Sequence, residues 1–96
     1  MNKQEKLTNL VNVERSIHIY DRRNNKLIEE INIDTISLEQ LLTIVIPKDG
    51  DPLLYDQYEL DQDQMFKMVK VLKCSITIDF DSFNYVLICL GIYDWK

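Results

Sequence analysis

The sequence predicts an α+β domain: a small antiparallel three-stranded sheet, in the order β-β-α-α-β, with two helices packed on one face. Three observations carry this reading. Apolar and polar residues alternate over 11–19 and resume after a polar turn, the period of half-buried strands. Two segments, opening at Ser37 and Asp61, begin with capping boxes and continue with apolar residues at helical spacing. The last stretch, Asp79 to Leu90, returns to alternation and then becomes apolar on both faces. Residues 1–96 read as a single domain, long enough for one modest core and free of repeats or linker composition.

Each element has a local cause. Val11, Val13, Ile17 and Ile19 alternate with Asn12, Glu14, Ser16 and His18. Asp21-Arg22-Arg23-Asn24-Asn25 then supplies turn residues, and its asparagines tolerate left-handed geometry. Leu27, Ile31 and Ile33 restart the pattern, broken at Ile28 and Glu29. Ser37 and Gln40 form the first capping box, bracketed by the apolar pair Ile36 and Leu41, and Leu38, Leu41, Leu42 and Val45 make one face that Pro47 ends. Asp61 and Gln64 repeat the box with Leu60 and Met65 around it. Met65, Met68, Val69 and Leu72 form the buried stripe, while Lys67, Lys70 and Lys73 take the wet face near the negative end of the helix dipole. The final strand, apolar over Val86–Leu90, belongs inside a sheet or in an interface. Its pairing partner, and whether residues 1–10 form a helix or a tail, stay open at this point.

Charge is distributed unevenly. The chain carries −5, yet the segment Asp49–Asp63 holds six acidic residues and no Lys or Arg, so the remaining 81 residues sum to about +1. Asp61 and Asp63 are accounted for by helix capping and the dipole. Asp49, Asp51, Asp56 and Glu59 are not, and Tyr55 and Tyr58 are interleaved with them. Leu53, Leu54 and the tyrosines make the connection too apolar to be merely solvated, so some of them anchor it to the body. Alternation then leaves one tyrosine outward beside Asp56 and Glu59. Tyrosine with a charged surround suits a protein interface. Asp49, Asp51, Tyr55, Asp56, Tyr58 and Glu59 are therefore the candidate partner-binding residues, weighed against an ordinary solvated loop.

Several function classes are disfavoured. An acidic balance repels nucleic acid and anionic membrane surfaces, so neither is expected as a partner. The start MNKQEKLTNLVNVERS lacks the apolar run of a signal peptide, and no segment approaches a membrane span. Cys74 and Cys89 do not form a disulfide-scaffold pattern, so a reducing, cytoplasmic home is expected, with both as small hydrophobes. One histidine, His18, rules out a two-histidine acid–base pair and most zinc sites. Asp79-Phe80-Asp81-Ser82 opens like a calcium loop but has Asn84 where a glycine and Leu90 where an acid would be needed. On a strand, Asp79 and Asp81 would share one hydrated face. Asp49, Asp51 and Asp56 lack regular ligand spacing. No catalytic residue, metal or cofactor is expected.

Ser16-Ile17-His18-Ile19-Tyr20, Asp51-Pro52-Leu53-Leu54-Tyr55-Asp56 and Asp79-Phe80-Asp81-Ser82-Phe83-Asn84-Tyr85 together resemble a group of small bacterial proteins with an Ile-rich N-terminal hairpin, a central Asp-Pro-Leu segment and a Phe-Asp-aromatic strand. These are similar to immunity proteins of contact-dependent inhibition and other polymorphic toxin systems. The resemblance implies a cytoplasmic protein that binds and neutralises one cognate toxin, often a basic nuclease. It carries over no contact residue. The alternative is a non-enzymatic regulatory or assembly subunit that homo-oligomerises, as in a homodimer, through its last strand. Should the acidic segment not be the docking surface, the next candidate is an aromatic face of Phe83 and Tyr85 beside His18 and Tyr20.

Overall fold

The computed structural model describes residues 10–93, with side chains from Val13 to Gly91. The question of helix or tail at residues 1–10 lies almost wholly outside them. Strand β1 (Leu10–Asp21) is followed by β2 (Leu27–Asn32), α1 (Leu38–Leu42), β3 (Tyr58–Leu60), α2 (Gln62–Leu72) and β4 (Phe83–Tyr93). The class is α+β. The sheet has four strands rather than three, all antiparallel, in the order β2-β1-β4-β3.

The first hairpin closes where its turn residues stand. Asp21 Oδ1 accepts from the Arg23 amide at 2.8 Å, Asn24 Oδ1 accepts from the Lys26 amide at 3.0 Å, and Asn25 takes the left-handed conformation at φ 59°. The break in alternation at Ile28 is a register shift: Ile19 faces Glu29 while Tyr20 faces Leu27, leaving Ile28 as the extra residue.

Both capping boxes are formed. Ser37 accepts from the Gln40 amide, whose side chain accepts from the Ser37 amide at 3.0 Å, and Asp61 and Gln64 repeat the exchange at 2.8 and 2.9 Å. Helix α1 stops at Leu42, earlier than its apolar face suggests. The Thr43 hydroxyl donates to the Gln40 carbonyl at 2.6 Å, and the Ile44 and Val45 amides both turn back to the Leu41 carbonyl. Leu41, Ile44 and Val45 are nevertheless all buried, by a tightened turn instead of another helical one. Helix α2 ends on Lys73 at φ 55°, whose amide donates to the Val69 carbonyl.

Strand β4 begins at Phe83. Asp79 to Ser82 form a turn closed by the Phe83 amide donating to the Asp79 carbonyl at 3.0 Å, so Asp79 and Asp81 do not share a strand face. Its partner, left open by the sequence, is β1 along its whole length, with β3 on the other side at Tyr85–Leu87. Pairing with β2 ends at Ser16 and with β3 at Leu87, so β1 and β4 continue beyond as a two-stranded ribbon to Leu10 and Tyr93. The long axis is correspondingly 52 Å against 30 and 26 Å.

Directly paired residues share a sheet face. Ile17, Leu87 and Tyr58 form one inward row, and Ile19, Tyr85 and Leu60 the next. They pack with Ile33, Ile36, Leu41, Ile44, Val45, Leu54, Met65 and Met68 in one core, so both helices lie on this face. The outward row is Glu30, His18, Val86 and Glu59, flanked by Tyr20 with Asn84 and by Ser16 with Ile88. Phe83 and Tyr85 therefore do not lie beside His18 and Tyr20. They point into the core side, because a strand sends successive side chains to opposite faces.

Candidate functional site

The acidic segment is a built loop centred on one carboxylate. Asp51 Oδ1 accepts from the Tyr55 amide at 2.8 Å, and Oδ2 accepts from the Asp56 amide at 3.0 Å and the Tyr58 hydroxyl at 2.5 Å. The Tyr58 oxygen in turn accepts from the Lys48 amide at 3.0 Å. The Tyr58 hydroxyl, first among these donors, holds the Asp51 carboxyl below the usual carboxylate range. Burial, with the neighbouring carboxylate, pushes the Tyr58 phenol up. Around this hub the chain takes two left-handed residues, Gly50 at φ 79° and Leu54 at φ 57°. A leucine accepts such strain only where packing over-determines it, and Leu54 is fully buried.

Two cations fasten the loop. Lys48 Nζ donates to the Gln57 carbonyl at 2.7 Å, reaches Asp56 Oδ2 at 3.3 Å and lies 4.7 Å from the centre of the Tyr58 ring. The Gln57 amide donates to Asp56 Oδ1 at 2.7 Å, and that bond, before Lys48, lowers the Asp56 pKa. From β1, Arg15 Nη2 donates to the Leu53 carbonyl at 2.8 Å, with its guanidinium 5.9 Å from the centre of the Tyr55 ring. Neither cation stands out as a site residue in the sequence. The signal that was available is Arg15 at an inward position of an otherwise apolar alternation, and Lys48 immediately before the acidic block.

The six candidate residues are thus divided. Asp51 and Tyr58 are turned inward and hold the loop together. Asp56 serves both Gln57 and Lys48. Asp49 and Tyr55 are exposed on the loop, Tyr55 by 48 %. Glu59 is exposed on the outward face of the sheet, since Tyr58 and Leu60 on either side of it are buried. Tyr55 is the tyrosine left outward, but Glu59 is not beside it.

The remaining reactive groups are apart. His18 Nδ1 is 3.4 Å from the Tyr20 hydroxyl, and its Nε2 is 3.0 Å from Glu30 Oε1 but outside hydrogen-bond alignment. Cys89, paired with Arg15, belongs to the inward face opposite to His18, and burial raises its thiol pKa. Both cysteines are free and half-buried. Among the described residues, no helix is long and apolar enough to cross a membrane.

These features define a class: an α+β domain with both helices on one face of a four-stranded sheet and an internally bonded acidic loop. The sequence matches the family model described as a domain of unknown function (DUF7683) over residues 14–88, and the chain belongs to that family. The matched span runs from within β1 to within β4 and takes in every element between them. No curated protein and no solved structure matches the chain.

Proposed function

We propose that this protein is a toxin-neutralising immunity protein, binding a cognate basic toxin domain of the nuclease type through an acidic surface. It acts in the cytoplasm and catalyses no reaction. The observation that best supports this is the construction of the acidic loop. Its backbone is pinned by Asp51, Lys48 and Arg15, so the outward groups Asp49 and Tyr55 are presented in a fixed arrangement. A rigid, charged surface loses little entropy on binding and speeds encounter with a partner of opposite sign. The placement of His18 and Cys89 on opposite sheet faces favours binding over Cys–His chemistry.

The test is co-expression with the product of the gene directly upstream. The expected result is growth arrest by that product alone, relief by this protein, and co-purification of the two. Association should slow in Asp49→Lys at low salt, with the defect shrinking as screening shortens to about 8–10 Å. Arrest that this protein does not relieve, or a neighbour that causes none, overturns the proposal.

A further inference from the structure

We propose that the open face of the sheet is a docking surface for a basic protein partner, and that a depression at its end nearest the β1–β2 turn takes an arginine or lysine side chain of that partner. The proposal rests on the binding reading above and moves its centre from the loop to the sheet. Three observations carry it. First, β4 keeps aliphatic residues at outward positions, where a solvated face calls for polar ones. Val86, Ile88 and Leu90 all lie on the side away from the helices, and Leu90 is 54 % exposed. The helices and the buried core cluster lie against the other face, so Val86, closed in to 6 % exposure, and the half-buried Ile88 stand outside that core.

Second, the Asp, Glu, Lys and Arg side chains at the outward strand positions are of one sign. The outward strand positions carry Glu14, Glu30 and Glu59, and no Lys or Arg among the described residues. With −5 on each chain, a second copy brought face to face sets carboxylates against carboxylates. Charge complementarity selects a partner that is apolar at its centre and basic around it.

Third, the face has a shaped receptacle. An open depression of about 280 Å³ is lined by Tyr20, Asn25, Gln57, Glu59, Asn84 and Val86. Val86, only 6 % exposed, belongs to the apolar part of the lining, and the Tyr20 ring can stack on a guanidinium. Gln57, Asn84 and Asn25 offer amide oxygens, and Glu59 supplies the counter-charge. A flat, delocalised cation with several donors satisfies that set, whereas an anion meets Glu59 and is repelled.

The test uses the full chain, isotope-labelled for NMR, titrated with a blocked tetra-arginine peptide and with its tetra-citrulline counterpart, which keeps the shape and loses the charge. The expected result is saturable shifts at Tyr20, Gln57, Glu59, Asn84 and Val86 with arginine and none with citrulline, and about threefold weaker binding in Glu59→Gln, the size of one exposed ion pair. Shifts confined to Asp49–Asp56 overturn this inference while leaving an acidic docking loop in place. Equal shifts with citrulline, no shifts at all, or dilution-dependent shifts on the sheet face without peptide (the mark of self-association) overturn it as well. Neutralisation of the upstream product is measured separately, so the two proposals fail independently.

Discussion

The acidic loop and the open sheet face carry the same kind of side chain and use it differently. In the loop, Asp51 spends both oxygens on the protein's own donors, and Asp56 is shared between Gln57 and Lys48. On the sheet, Glu59 and Glu30 are exposed on the two edge strands, with their side chains on the outward face and away from turning backbone, so Glu59 is free to meet a partner's charge. Density of charge in a sequence therefore does not measure availability of charge. A carboxylate next to turning backbone is captured by amides, whereas one on a strand has none within reach.

The sharpest way to break this comparison is along β4, where inward and outward residues alternate. Leu87→Ala should cost about 2–5 kcal/mol, because Leu87 is fully buried beneath both helices and leaves a cavity. Leu90→Ser, on the open face, should stay within about 0.5 kcal/mol of the parent. Urea midpoints measured on the two variants decide it, and similar losses would mean the outward face is packed in the isolated protein.

Asp51 provides the next largest contrast. Its folded carboxyl is depressed, so its stabilisation is complete above the unfolded value of about 3.9 and is lost as pH falls through the lower folded value. Asp51→Asn should lower the urea midpoint at pH 7 and flatten the loss of stability between about pH 5 and 2. Asp49→Asn, at an exposed position, should leave the stability measured in urea at pH 7 within about 0.5 kcal/mol of the parent. A loop that is only solvated would make the two variants alike.

Smaller effects test the helices that flank the loop. Ser37→Ala and Asp61→Ala should each cost about 1 kcal/mol, since each removes the acceptor of a helix amide. Breaking the exposed Asp63–Lys67 pair, 3.2 Å apart, should cost about 0.3–0.5 kcal/mol and less in high salt. Denaturation midpoints at two salt concentrations separate these from any change in the loop.

Much of the fold was legible because its causes are local. The hairpin turn at Asp21–Asn25, the disturbance at Ile28 and both capping boxes depend on residues within a few positions of one another. Strand β3 was not. Tyr58-Glu59-Leu60 has only three residues, and its strand character comes from pairing with Tyr85–Leu87. Of the candidate site, alternation called for one tyrosine outward and anchoring by others of the loop's apolar residues, but not for which tyrosine; the structure makes Tyr55 the outward one and Tyr58 the buried one. The separation of Glu59 from Asp49 did not follow from alternation, because it needed the pairing of β3, in which Glu59 sits, with β4.

The sequence by itself determined the α+β class, the two helix starts and the first hairpin, through periodicity and capping chemistry that act over a turn or two. Only the tertiary structure decided that β4 lies between β1 and β3, that Asp51 is an internal hub, and that Val86, Ile88 and Leu90 look outward. The physical reason is the two-residue period of a strand: it sorts side chains into two faces, but which face meets the helices is fixed by the packing of distant segments.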